Sequence, residues 1–182
     1  MNSSIKTIIA LLILVVTFQS CNQGPTLQSY YVDSELAPGF TTLDVPTSML
    51  DIDEETLTEE EADALDSVEK LSLLAYVLDD STDTAEFEVE LAKVQTILKD
   101  PKYEELMRGG NSTDGKFVVK FLGEEDSIDE IILMGHSQDK GFALVRVLGD
   151  DMTANKIMTL SKVFEKANID DSELKRFTNF FE

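Results

Sequence analysis

Residues 117–148 decide the fold, and their sequence is FVVKFLGEEDSIDEIILMGHSQDKGFALVRVL. The stretch holds three short apolar runs, Phe117–Leu122, Ile131–Met134 and Phe142–Leu148, separated by loops that contain glycine. A fourth run, Tyr103–Arg108, precedes them. Short apolar runs of this kind favour strands, and short glycine-containing loops favour antiparallel neighbours. We therefore predict an antiparallel meander in the second half of the chain.

Helical patterns lie on both sides of this meander. Before it, four apolar residues recur at helical spacing: Phe87, Leu91, Val94 and Leu98. Asp100-Pro101 is expected to end that helix, whose start Asp83 and Thr84 could cap. Upstream, residues 58–61 have the sequence of a capping box, which begins an earlier helix. After the meander we predict two C-terminal helices, over residues 152–167 and 172–181.

The segment 27–45 is predicted to be extended, with one strand at Tyr30-Tyr31-Val32 and another at Phe40–Val45. A Pro38-Gly39 turn separates them, a short helical turn follows through Leu50, and Leu71–Val77 is a further strand candidate. Together these elements predict an α+β fold: an antiparallel sheet of about five or six strands covered by amphipathic helices, two of them C-terminal.

The composition supports one domain and limits its partners. The chain has 182 residues, of which 42% are hydrophobic, so it can build a core without a disulfide or metal. It carries 36 acidic against 15 basic residues, for a formal net charge of −21. Such a surface repels phosphate backbones, so we expect no nucleic-acid partner.

The N-terminus has the pattern of a lipoprotein signal peptide. Lys6 precedes an unbroken apolar run, Ile8–Val16, whose nine residues would span about 13–14 Å as a helix, under half of a bilayer core. Ser20-Cys21 then resembles a lipobox, although Phe18 and Gln19 depart from its usual residues. In that resemblance, cleavage before Cys21 leaves it as the lipid-carrying first residue, acylated for example by palmitate.

The lone cysteine of the chain is explained by this role. The predicted organisation is a signal peptide over 1–20, the lipidated cysteine and a polar tether over 21–28, and a single α+β domain over 29–182. We expect an outer-membrane anchor facing the periplasm. The alternatives are an ordinary signal peptide with a chance cysteine and an uncleaved short anchor.

Two motifs resemble ligand loops but lack required residues. Residues 110–116 match the first seven positions of a phosphate-binding loop, yet Phe117 replaces the Ser or Thr that binds Mg²⁺ and continues into a strand. A hairpin turn, with no nucleotide, is therefore expected. Asp79, Ser81, Asp83 and Glu90 have the spacing of a calcium loop, but Thr84 replaces its turn glycine, and Asp51-Asp53-Glu55 also lacks one.

No catalytic constellation is found, and no cofactor or metal is expected. His136, the only histidine, is predicted to be an exposed residue of the Gly135–Gly141 loop. Ser137 and Asp139 are too close to it in the chain to complete a triad, and no nucleophile elbow is present. With no free cysteine after lipidation, cysteine catalysis and the usual zinc sites are excluded.

Lys120 and Arg146 are the residues that could contact a ligand or partner. Both interrupt apolar runs predicted to be adjacent strands, which suggests a sheet face partly open to water. Such a cation could receive an anionic ligand or a partner's acid. The favoured interpretation is pairing with a nearby Asp or Glu.

Five segments carry a resemblance to a known family: residues 30–33, 43–46, 103–108, 128–130 and 140–149. Together they resemble a family of small Bacteroidota lipoproteins known only as a domain of unknown function. The Gly141–Gly149 string is the most specific part. The resemblance implies a shared fold and an envelope location, and it supplies no substrate, cofactor or catalytic residue.

The sequence thus favours a non-enzymatic envelope module, anchored to a membrane through Cys21, that binds another protein or senses something in the periplasm. One alternative is a hydrolase or ligand-binding protein built from carboxylates near Arg146 or Lys120. Another is a structural spacer. An exposed apolar patch would favour the envelope binding module, and a deep pocket that holds acids with perturbed pKa values would favour the hydrolase or ligand-binding protein.

Overall fold

A computed structural model describes residues 24–50, 52–78, 84–111 and 115–166. Within these ranges the strands are β1 (Phe40–Pro46), β2 (Val68–Val77), β3 (Glu104–Asn111), β4 (Gly115–Glu124), β5 (Ser127–Ser137) and β6 (Gly141–Met152). The α-helices are α1 (Leu27–Ser34), α2 (Glu59–Asp66), α3 (Thr84–Ile97) and α4 (Ala154–Lys166). Single 3-10 turns occupy Thr47–Met49 and Glu54–Thr56.

All six strands form one antiparallel sheet in the order β1-β2-β6-β5-β4-β3. The predicted meander is therefore confirmed, because β3, β4, β5 and β6 pair consecutively. β2 and then β1 extend the sheet on the far side of β6. β3 and β1 are its two edges.

Helices cover both faces of the sheet, and each face has its own core. On one face, residues from α1 and α3 pack against alternate residues of the strands, among them Leu74, Phe142, Leu144, Ile132 and Met134. On the other face, α2 and α4 pack against the residues in between. The predicted α+β fold with amphipathic helices over an antiparallel sheet is confirmed, and the sheet is the middle of three layers.

The prediction of an extended segment at Tyr30-Tyr31-Val32 is wrong, because these residues belong to α1. Thr26 caps this helix: its hydroxyl accepts from the Ser29 amide at 3.1 Å, and the Ser29 hydroxyl accepts from the Thr26 amide at 3.0 Å. The buried residues are Leu27, Tyr30, Tyr31 and Ser34, which have helical spacing. The tyrosine pair thus packs on the core from a helix.

The other local predictions are largely confirmed. The Phe40–Val45 strand, the helical turn after Pro46 and the Leu71–Val77 strand are all present. Thr58 and Glu61 form the capping box of α2, with the Glu61 carboxylate accepting from the Thr58 amide at 2.8 Å. Residues Phe87, Leu91, Val94 and Leu98 are all buried.

Some predictions fall outside the described residues. The first C-terminal helix is confirmed as α4, but the second, residues 172–181, lies outside them. The signal peptide and Cys21 do as well. Among the helices that the structure describes, none has the length and hydropathy needed to cross a membrane.

Candidate functional site

A row of directly opposed residues crosses the whole sheet on the face covered by α1 and α3. Its members, from β1 to β3 in spatial order, are Asp44, Ser72, Arg146, Ile132, Lys120 and Glu105. Opposed residues point to the same face, so this row places charges beneath the helices. Ile132 lies between Arg146 and Lys120, so the prediction that these two lie on adjacent strands is wrong.

Arg146 is buried, and each of its three guanidinium nitrogens donates a hydrogen bond. Its Nε donates to Oε1 of Glu130 at 2.7 Å, and its Nη2 donates to Oε2 at 2.8 Å. Its Nη1 donates to the side-chain oxygen of Gln28, which lies on α1, and the guanidinium lies 6.0 Å from the Tyr31 ring centroid. Arg146 and Glu130 are only 9% and 4% exposed. The prediction of a sheet face partly open to water is therefore wrong at Arg146, since α1 covers this residue.

The directions of the pKa shifts around Arg146 are those expected for an ion pair that holds the structure together. Burial by itself lowers the pKa of Arg146, but the hydrogen bonds and charge of Glu130 outweigh burial and raise it. Burial also raises the pKa of Tyr31, whose hydroxyl donates to the carbonyl oxygens of Ser72 and Leu144. The guanidinium is held in its charged form with its donors directed at protein acceptors.

A cleft of about 230 Å³ opens beside Arg146, between α1 and strands β1 and β2. Asp44 and Lys70 face each other there at 2.9 Å. Burial raises the pKa of Asp44, yet hydrogen bonds from Ser72 and Lys70 lower it overall. The lowered pKa of Asp44 is the opposite of the raised pKa that marks an acid prepared to donate a proton.

A second cavity, of about 290 Å³, lies on the same face between the end of α3 and strands β3, β4 and β5. We call it the cationic groove. Its apolar lining includes Leu98, Val118 and Met134. Its basic lining residues are Lys99, Arg108, Lys116, Lys120 and His136. Of the two cations singled out from sequence, Arg146 lines the first cleft and Lys120 the groove, so the structure does not bring them into one site.

Two of the groove's cations are fixed and two are free. Lys120 donates to the Tyr103 carbonyl at 2.8 Å, and Arg108 is paired with Glu105. Lys99 and Lys116 are exposed and have no ion-pair partner among the described residues. The groove therefore presents two uncompensated ammonium groups.

His136 belongs to this groove and not to a loop, so its predicted place is wrong. It lies on β5, opposite Lys116 on β4, and is half-buried. Burial and the Lys116 charge lower the pKa of His136, while Glu88 on α3 opposes this shift. His136 is therefore expected to be neutral at pH 7.

Sequence reasoning missed Lys99, Arg108 and Lys116. The available signal was local charge: five of the chain's 15 basic residues lie between positions 99 and 120. Only the register of β3 and β4 and the position of α3 show that four of them surround one cavity.

The other residues singled out from sequence motifs form a turn or cap a helix, or they lie outside the described residues. Asn111 ends β3 and Gly115 begins β4, so residues 110–116 span a hairpin as predicted, with 112–114 undescribed. Asp53 accepts from the Glu55 amide and caps a 3-10 turn. Asp79, Ser81 and Asp83 of the calcium-like spacing are not among the described residues.

Comparison with known proteins adds the family. No curated protein and no solved structure matches the chain. One family model matches residues 33–160, a range that begins near the end of α1, includes all of the described strands and reaches into α4. Since this range covers more than half of the chain, the protein belongs to the family described as Domain of unknown function (DUF4252).

Proposed function

We propose that this protein is an envelope lipoprotein, anchored to a membrane through lipidated Cys21, that acts as a non-enzymatic module binding another protein. The anchor is supported by sequence: Lys6, the apolar run Ile8–Val16 and Ser20-Cys21. The binding role is supported by one structural observation, the open edge of the sheet at β3, beside which large apolar side chains are exposed.

β3 offers an unpaired strand edge. It pairs with β4 on one side, and no described strand pairs with its other side. All but one of its eight residues are exposed, whereas only two of the seven residues of β1, the opposite edge, are exposed. An open strand is a template for strand addition by an extended segment of another chain.

Apolar side chains accompany this edge. Leu106 and Met107 on β3 are 40% and 54% exposed, and Phe117 on the neighbouring β4 is 40% exposed. Met107 and Phe117 occupy the face that carries α2 and α4, because Met107 lies opposite Val119, which packs on the core of that face, and Phe117 precedes Val119 by two residues on β4. The partner expected here is an extended protein segment with apolar side chains, which would add a strand to β3 and cover these residues.

The anchor is tested by membrane fractionation and by metabolic labelling with an alkyne analogue of palmitate. The full chain is expected to label and to sediment with membranes, and Cys21→Ala is expected to lose the label. Ser20→Ala, which keeps a small residue before the cysteine, is the matched control and should retain it. Labelling of Cys21→Ala equal to that of the wild type would reject the anchor.

The binding edge is tested by placing a photo-crosslinking amino acid at position 117 in cells. Position 89 is the control, because Val89 is also a large exposed apolar residue but lies on α3. We expect position 117, and not 89, to capture a defined segment of one partner. The variant Met107→Pro should abolish the product, because proline lacks a backbone N–H and disfavours strand pairing within β3.

Two results would contradict the binding edge. One is crosslinking from position 117 only to residues 167–182 of the same chain, which would show an intramolecular contact. The other is equal capture of the same proteins from positions 117 and 89, which would show non-specific proximity. The mass of the crosslinked peptide distinguishes the first result from partner capture, and the comparison with position 89 distinguishes the second.

A further inference from the structure

We propose that the cationic groove binds a small amphiphile that consists of an anionic head, carboxylate or phosphate, on a short alkyl chain. The groove lies on the sheet face beneath α3, and its lining includes Phe117 and the β3 residues Glu105, Arg108 and Gly109. The proposal is argued from the charge and the apolar lining of the groove, and it does not require the proposed protein partner.

Charge is the first argument. The chain has 36 acidic and 15 basic residues, so a cavity lined at random would be acidic. The groove instead has four Lys or Arg residues in its lining and one acid, Glu105, which is paired with Arg108. A local cationic site in an acidic surface attracts a small anion, whereas the net charge of −21 repels a polyanion.

The position of the free charges is the second argument. Lys99 follows the end of α3 and Lys116 lies on β4, so the two unpaired ammonium groups come from the helix side and the sheet side of the groove. Lys120 and Arg108 are held by the Tyr103 carbonyl and by Glu105. An anionic head can therefore be bound by both free lysines without breaking an existing ion pair.

The apolar lining is the third argument. Leu98 and Met134 are each 3% exposed, and the half-buried Val118 packs against the core cluster to which both belong. These apolar side chains form no hydrogen bonds with a ligand, but they can bury an alkyl chain. The volume of about 290 Å³ is near the lower end of the range of about 300–1,000 Å³ typical of small-molecule sites, so the chain must be short.

Binding is measured by NMR on the full chain in nanodiscs of zwitterionic lipid, with octanoate as the probe. Octanoate also partitions into lipid, so signals from the groove are followed instead of total binding. The Met134 methyl group and the His136 ring report from the groove. The Met152 methyl group, which is buried on the opposite face, is the internal control.

We expect octanoate to shift the Met134 and His136 signals saturably and to leave Met152 unchanged. Octanol, which lacks the charge, and acetate, which lacks the chain, should each bind at least about tenfold more weakly. Octyl phosphate in place of octanoate shows which head the groove prefers. The same shifts in nanodiscs that contain anionic lipid, without added octanoate, would identify a lipid headgroup as the source of the anionic head.

Variants test the residues. The double variant Lys99→Gln with Lys116→Gln should weaken octanoate binding about tenfold, since it removes two partly exposed charge contacts. Lys162→Gln, an exposed lysine on α4, is the matched control and should have no effect. Gln95→Trp should block the groove from the helix side. Both lysines are exposed, so the double variant is expected to fold, and the Met152 signal verifies this.

Three results would overturn the proposal. The first is equal binding of octanol and octanoate, which would show an apolar cavity without anion selectivity. The second is unchanged binding in the double lysine variant. The third is the lack of any shift at Met134 with octanoate while a peptide of alternating Glu and Leu produces one, which would show a peptide site.

Discussion

At the scale of single residues, the Arg146–Glu130 pair decides how β5 and β6 support α1. The two side chains share two hydrogen bonds beneath the helix, and Gln28 of α1 accepts a third from the guanidinium. Removing charges from water is costly, so such a pair persists only when its donors are satisfied. The pair therefore acts in the structure by fixing the position of α1, more than by a net gain in stability.

Glu130→Ala is predicted to lower the free energy of unfolding by about 3–5 kcal/mol, because it leaves the buried Arg146 charge without its carboxylate. The double variant Glu130→Leu with Arg146→Met should lose much less, since both charges are gone. Urea unfolding followed by circular dichroism measures both. The exposed Lys70–Asp44 pair is the matched control, and Lys70→Gln should cost less than about 1 kcal/mol. Equal losses in the single and double variants would show that packing, and not charge, is responsible.

The sequence predicted half of this arrangement. Arg146 interrupts an apolar run and is visible as a cation in a strand, and pairing with an acid was the favoured interpretation. Its partner could not be chosen, because the chain offers 36 acids and Glu130 becomes a neighbour only through the register of β5 with β6. Gln28 lies 118 positions away and reaches Arg146 only because α1 is a helix.

At the scale of elements, local chemistry predicted most helices and strands. α2 was found from its capping box, and α3 from four apolar residues at helical spacing. α1 was missed because two adjacent tyrosines and a valine have high strand propensity. Its capping residues, Thr26 and Ser29, and the helical spacing of its buried positions, 27, 30, 31 and 34, carry the helical signal. Capping and tertiary packing outweigh propensity there.

The Gly141–Gly149 string, which carried the family resemblance, is explained at this scale. A Cβ atom at Gly141 would lie 2.0 Å from the carbonyl oxygen of Tyr76, and one at Gly149 would lie 2.0 Å from that of Ser67. Both glycines thus let β6 lie close to the chain at the two ends of β2. Gly141 also has a φ of 108°, which side chains rarely adopt.

Gly141→Ala is therefore predicted to lower the free energy of unfolding by about 2 kcal/mol or more, through backbone strain and the clash with Tyr76. Gly24→Ala is the matched control, because nothing lies within 4 Å of a Cβ there. Thermal unfolding of the two variants measures the difference. Similar melting temperatures for both would refute the close approach of β6 to β2.

At the scale of the whole molecule, the sequence predicted the fold class but not the layers. Runs of strands and amphipathic helices indicate an antiparallel sheet with helices, and the structure has both. The distribution of helices over two faces depends on which residues of each strand face which helix. Residues 71–76 of β2 and 142–144 of β6 are buried on both faces and form nearly continuous apolar runs, which obscures that alternation.

The net charge of −21 also belongs to this scale, and its effect on stability has a definite sign. Like charges on a compact surface repel each other more than they do in an expanded chain, so the charge lowers the free energy of unfolding. Salt screens exposed charges within a Debye length but affects the buried Arg146–Glu130 pair much less. Added salt should therefore stabilise this protein.

The melting temperature is predicted to rise by several degrees between about 10 mM and about 200 mM NaCl and to rise more slowly above that, as the Debye length falls. A variant with Glu124→Gln, Glu125→Gln and Asp126→Asn removes three exposed charges from the end of β4 and the turn that follows it, and it should melt higher at low salt and respond less to NaCl. Sucrose, which favours compact states without screening, should stabilise both proteins equally.

A fall in melting temperature with NaCl would show that favourable surface ion pairs outweigh the net repulsion. A saturable rise at micromolar calcium, with no matching response to NaCl, would instead reveal a specific cation site, because general screening does not saturate at such concentrations.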